Sequence, residues 1–133
     1  IISIIKDRLG ELDGKRITIL GTAFKPNTDD IRDSIAIELI KKFLPKKVKI
    51  TIHDPKAIDN TRRVFGEKIK YEKTIQNALL KSQCAIFMTH WNQYEKLTKN
   101  DFKKMNKRIV IDCRRILVNK QLDVDYFAIG IGK

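Results

Sequence analysis

The apolar positions fall into short runs of two periods. Ile1, Ile2, Ile4, Ile5 and Leu9 recur at helical spacing and stop at Gly10, which predicts the last turns of a helix. After the turn dipeptide Asp13-Gly14 the period changes. Arg16-Ile-Thr-Ile-Leu20 is a β-branched run ending at Gly21, and reads as a buried strand. A polar loop containing Pro26 follows. From Ser34, a hydroxyl suited to an N-cap, Ala36, Ile37, Ile40, Phe43 and Leu44 form one face of a helix that Pro45 closes. The unit then repeats. Residues 48–52 predict a strand broken by His53-Asp54-Pro55, 59–65 a short polar helix, 69–71 a short strand and 74–81 another helix. Residues 84–88 and 108–112 read as apolar strands around a mixed amphipathic segment at 94–105, with a last strand at 126–131. Nearly continuous apolar strands alternating with helices predict an α/β, Rossmann-like three-layer domain, a mostly parallel sheet with helices on both faces.

A length of 133 residues suits one compact domain, and 42% apolar with 33% charged residues places it with globular chains. No apolar run approaches the roughly 20 residues that span a bilayer, and Lys6, Asp7 and Arg8 follow the first apolar residues at once. Neither a signal peptide nor a membrane anchor is expected. Cys84 and Cys113 sit in apolar runs without metal-ligand spacing, so neither a disulfide nor a zinc site is expected, and a reducing, cytoplasmic setting fits. The net charge of +12 attracts polyanions, whether nucleic acid, acidic membrane or phosphorylated small molecules. Charge alone does not choose among them. The clusters Lys41-Lys42, Lys46-Lys47 and 103–108 read as a solvated face.

In a parallel sheet, ligands bind beyond the carboxyl ends of the strands. Those places read 21–32, His53-Asp54-Pro55, Thr89-His90-Trp91 and Asp112-Cys113-Arg114-Arg115, all rich in polar groups. Lys25 and Arg32 can set two cations near a phosphate while Thr28, Asp29 and Asp30 shape the loop. The same charges also suit a solvated crossover. The loop has neither GxGxxG nor GxxxxGK[ST], so it is no standard dinucleotide site. Trp91 and Tyr94 read as packing residues at a helix start. Cys113, beside two arginines, has the look of an activated thiol.

Residues 21–34, Gly-Thr-Ala-Phe-Lys-Pro-Asn-Thr-Asp-Asp-Ile-Arg-Asp-Ser, closely resemble the signature that opens the C-terminal domain of the UDP-glucose/GDP-mannose dehydrogenase family. His53-Asp54-Pro55-Lys56-Ala57, Thr89-His90-Trp91, Asp112-Cys113-Arg114 and the glycine-rich stretch 127–132 resemble further family motifs in the same order. The resemblance implies the UDP-sugar-binding part of an NAD-dependent nucleotide-sugar 6-dehydrogenase of the UDP-glucose to UDP-glucuronate type. Residues 1–13 would then be the end of a central linking helix, and 14–133 the nucleotide-sugar-binding domain. By the same resemblance Lys25, Phe24 and Arg114 contact the substrate, Asp112 orients Arg114, and Arg32 faces the cofactor. NAD is held mainly by an N-terminal domain that this chain does not resemble, and the nucleophilic cysteine lies upstream, so no catalytic residue is assigned here. Cys113 stands where the family usually carries a small residue, and the resemblance therefore implies a space-filling role for it. The full-length family member is expected to be a homodimer. His90 and Arg115 depart from the family's common Glu and Asn, and the sugar and base stay open.

Two other readings remain: a basic nucleic-acid-binding module, and a free-standing nucleotide-binding protein without catalysis. Against the first, the chain has no helix-turn-helix spacing, no RNP-like aromatic pair and no zinc finger.

Overall fold

The structure, a computed structural model, describes residues 1–130. The glycine-rich match at 127–132 and the strand expected at 126–131 lie partly outside them. Six strands, β1 (Arg16–Leu20), β2 (Lys49–His53), β3 (Lys70–Tyr71), β4 (Cys84–Phe87), β5 (Ile109–Asp112) and β6 (Asp125–Ala128), form one sheet in the order β3-β2-β1-β4-β5-β6. Every pairing is parallel. The order reverses between β1 and β4, which opens a crevice at their carboxyl ends.

The period-2 alternation assigns each face. Ile17, Ile19, Ile50, Ile52, Cys84, Ile86, Ile109 and Ile111 point to one core, while Leu20, Ala85, Phe87 and Val110 point to the other. The first face is covered by α1 (Ile2–Leu9), α2 (Ile35–Phe43) and α3 (Ile58–Phe65), the second by α4 (Ile75–Leu79) and α5 (Asn92–Glu95). Both faces are therefore capped, as the sequence predicts. In α2, Ala36, Ile37, Leu39, Ile40 and Phe43 are buried, each large side chain contributing about 1.5–3 kcal/mol of transfer free energy. Ser34 caps this helix, its Oγ accepting the Ile37 amide at 3.4 Å. Thr18, buried in β1, donates its hydroxyl to the Ala78 carbonyl at 2.6 Å and ties α4 to the sheet.

Several details differ from the sequence reading: among them, β6 starts one residue before the expected 126–131 and ends at Ala128, and α4 is shorter than the expected 74–81. β2 runs one residue later than expected, because the Gly21 amide bonds to the His53 carbonyl at 2.8 Å and extends the ladder. The segment 94–105 is not one amphipathic element. Thr98 and Asp101 form a capping box that starts a separate 3-10 turn, Lys99–Phe102. The opening helix α1 lies on the first core through the buried Ile5, with Arg8 paired to Asp125 at 3.3 Å and placed 4.9 Å from the Phe127 ring centroid. No helix among the described residues is long and apolar enough to cross a membrane.

Candidate functional site

The carboxyl end of the sheet is held together by one carboxylate. Asp54, just past β2 and 2% exposed, accepts the Thr22 and Ala23 amides on Oδ2 at 2.8 and 3.0 Å, and the Lys56 and Ala57 amides on Oδ1 at 2.8 Å each. The indole Nε1 of Trp91, beyond β4, donates to the same Oδ2 at 3.2 Å. Loops following β1, β2 and β4 thus converge on Asp54. Gly21 makes the closeness possible. It sits at φ +99°, and a Cβ there would lie 2.5 Å from Thr89, a contact no larger residue tolerates. Thr89 Oγ1 then donates to the Ala23 carbonyl at 2.7 Å, and Ser34 Oγ to the Thr22 carbonyl at 2.7 Å.

Above this anchor the loop tip is set by short-range bonds. The Phe24 amide donates to the Asp30 carbonyl at 2.9 Å, and Asn60 of α3 donates to the Asp29 carbonyl at 2.7 Å. Arg32 grips Asp30 in a bidentate pair, Nε at 3.0 and 3.1 Å and Nη2 at 2.7 Å. The Arg32 side chain and amide hold the Asp30 carboxyl well below the usual range, at about 2. Thr28, Asp29 and Asp30 all take part in this internal bonding. Lys25 is exposed, its ammonium 5.3 Å from the centroid of Phe24, itself 38% exposed. Among the described residues no carboxylate lies within ion-pair distance of Lys25.

The loop after β5 has its own hub. Asp112, fully buried, accepts the Arg114 amide on Oδ1 at 3.2 Å, and the Leu117 amide and Tyr126 hydroxyl on Oδ2 at 2.7 and 2.6 Å. It therefore fixes the Arg114 backbone and is itself closed to a ligand. The Arg114 guanidinium is held by Nε, which donates to the Met88 carbonyl at 2.9 Å. Arg115 holds a left-handed φ of 55°. Cys113 is buried, and burial followed by the Asp112 charge pushes its thiol up to about 11, despite Arg114. A space-filling role fits that environment. Trp91 and Tyr94 are buried as well, Tyr94 against His53 Nδ1 at 2.9 Å. Burial lowers the His53 pKa. His90 is exposed and hydrogen-bonded to Glu95.

The structure thus places Phe24, Lys25, Arg32 and Arg114 in loops at one end of the sheet and Asp112 at the end of β5, with Lys25 and Phe24 together, Arg32 on Asp30, and Asp112 bonded to the Arg114 amide. The Asp54 hub was missed in the sequence, where His53-Asp54-Pro55 reads as a strand break, a strand-end candidate and a family motif, with no bonding role for Asp54. Its signal was an Asp directly after a buried strand and before Pro, a residue whose side chain can bond amides two and three positions on.

The family model for the UDP-glucose/GDP-mannose dehydrogenase family, UDP binding domain, matches residues 18–119. The chain belongs to that family. UDP-glucose 6-dehydrogenase AglM of Haloferax volcanii is 39% identical over 125 residues, covering 94% of this chain and 28% of that protein. UDP-glucose 6-dehydrogenase YwqF of Bacillus subtilis is 27% identical over 128 residues, with 93% and 29% covered. A solved UDP-glucose dehydrogenase from Pyrobaculum islandicum superposes with a TM-score of 0.76 at 30% identity, over 97% of this chain and 28% of that one. The chain therefore spans little more than a quarter of these family members. A shikimate dehydrogenase from Aquifex aeolicus, with a TM-score of 0.65 at 12% identity over 96% of this chain and 47% of that one, shares the fold alone.

Proposed function

We propose that this chain is the nucleotide-sugar-binding domain of an NAD-dependent nucleotide-sugar 6-dehydrogenase that oxidises a C6 alcohol to a carboxylate. The observation that carries the reading is the Asp54-anchored loop, which presents an exposed Lys25, with no carboxylate partner among the described residues, at the switch point of a family-matched sheet. Lys25 binds near the sugar, where a fixed ammonium favours negative charge developing during oxidation. Arg114 contacts the same nucleotide-sugar, Phe24 offers it apolar area, and Asp112 acts beneath them as a positioning residue.

The crevice does not fit a dinucleotide of its own. The Thr22 and Ala23 amides, which open the loop after β1, are taken by Asp54, and the glycine fingerprint is absent. NAD, the hydride acceptor, therefore belongs to a domain outside this chain, as does the nucleophilic cysteine, and Arg32 faces that domain. Residues 1–13 are assigned to the end of a linking helix, and the complete protein to a cytoplasmic homodimer.

Calorimetric titration with UDP, UDP-glucose, GDP and GDP-mannose tests the reading. A uridine ligand is expected to bind, and Lys25→Ala and Arg114→Ala each to weaken it by roughly tenfold or more, the scale of one lost charge-assisted hydrogen bond. Unchanged affinity in both variants refutes the site, and NAD reduction by the chain alone refutes the division of labour.

A further inference from the structure

The opposite end of the sheet carries a second feature that the dehydrogenase reading does not use. A groove of about 560 Å³ runs across the starts of β1, β2 and β3 beside α4, lined by Arg16, Lys49, Lys68, Lys70 and Lys81. All five side chains are exposed, and only Glu67 and Glu72 oppose them among the lining residues. None of the ion pairs among the described residues involves a groove residue.

The groove exists because α4 is only five residues long. It packs on β1, through Thr18, and on β2 without closing over this face of β2, so Lys49 is exposed and Thr51 half-buried, whereas Ile50 and Ile52 on the other face are buried. Thr51 pairs with Lys70 and Lys49 with Arg16, which sets the cations side by side. Backbone bonds continue the belt, from Lys49 to Lys15 and from Lys81 to Lys104. Protection of a sheet edge accounts for Lys70 on the edge strand and Lys68 in the turn before it. It does not account for Arg16 and Lys49, which open interior strands, or for Lys81 after α4.

We propose that this groove binds the sugar-phosphate backbone of single-stranded nucleic acid, at a site separate from the nucleotide-sugar crevice. The concave shape admits a chain and not a flat bilayer, and its one exposed large apolar residue, Leu80, gives no membrane anchor. Tyrosine, phenylalanine and tryptophan are absent from the lining residues, so no base is stacked and the binding is blind to sequence. This agrees with the absence of base-reading motifs in the chain. From β3 to β1 the sheet spans roughly 10 Å, enough for about three phosphates at ~3.4 Å per nucleotide.

The test is fluorescence anisotropy of the chain with a labelled oligothymidylate of about twenty nucleotides. With about three phosphates neutralised, the slope of log K on log salt is near −2, a loss of roughly twentyfold between about 50 and 200 mM. The triple variant Lys49→Glu, Lys70→Glu, Lys81→Glu is expected to lose tenfold or more with a flattened slope, and the milder Gln triple to fall between. An equal charge change on α2 and the turn after it, Lys41→Glu, Lys42→Glu, Lys46→Glu, is expected to stay within twofold of wild type, as are Lys25→Ala and saturation with UDP-glucose. Absence of binding at low salt, equal losses in the two Glu triples, competition by UDP-glucose, or tighter binding to phosphatidylglycerol vesicles than to the oligonucleotide overturns the proposal.

Discussion

Replacing Asp54 by Ala removes the acceptor for four backbone amides and one indole N–H. Each buried donor left unpaired costs about 1–3 kcal/mol, so a plain sum rivals the ~5–15 kcal/mol that holds a whole domain. The sum overshoots. The Lys56 amide sits at an exposed residue and rehydrates, and a water in the vacated polar space accepts bonds from some of the rest. About 3–5 kcal/mol remains, at the upper end for a single substitution. Asp54→Asn, which keeps one acceptor oxygen, is expected to lose about 2 kcal/mol. Urea unfolding followed by fluorescence measures both directly, because Trp91 is the single tryptophan and bonds to Asp54 itself. At a typical urea dependence the Ala variant's midpoint falls by roughly 2 M. A loss under about 1 kcal/mol for Ala would show that the loops hold together without this carboxylate, and refute the hub.

Gly21→Ala combines a left-handed backbone with a Cβ placed 2.5 Å from Thr89, and is expected to cost about 2–4 kcal/mol by thermal or urea unfolding; a neutral result would contradict the close approach. The Asp30 carboxyl is expected to titrate at about 2 in an NMR pH series and to return toward its ordinary 3.8 in Arg32→Gln. Because the folded value is depressed, the pair's contribution is complete above 3.8 and is lost as pH falls through about 2; titration near 3.8 in the wild type would break the assignment. Cys113 should resist thiol reagents at neutral pH until urea unfolds the chain, and Cys113→Ala should leave uridine-nucleotide affinity within twofold. Its raised pKa means that stability it supports is intact below the ordinary 9.0 and drains away as pH climbs toward 11, so rapid labelling of the folded chain would contradict its burial.

The sheet was legible because its strands are written in β-branched residues with Gly, Pro or Asp at their ends; Arg16–Leu20 has the same limits in sequence and structure. Where a candidate site would lie was legible for the same reason, since in a parallel sheet ligand-binding loops gather at the carboxyl ends of the strands. What the sequence hid is long-range bonding. Asp54 collects its partners from Thr22 and Ala23, 32 and 31 positions earlier, and from Trp91, 37 positions later, and no local pattern announces such convergence. The short pair Asp30 and Arg32, two positions apart, was within reach of sequence reasoning. The break at Thr98 was hidden by continuing amphipathic spacing, though its Thr-x-x-Asp pattern belongs to a capping box. Neither did the charge clusters reveal the groove: Arg16, Lys49, Lys70 and Lys81 are scattered in sequence and meet only through strand pairing.

The most direct test of the nucleotide-sugar assignment is amide chemical-shift mapping of the chain on titration with UDP-glucose. The expected shifts cluster at 21–32, 89–91 and 112–115, with the Lys25 and Arg114 amides among the largest. Shifts centred instead on the starts of β1, β2 and β3, or none at saturating ligand, would contradict a nucleotide-sugar site at the carboxyl end of the sheet.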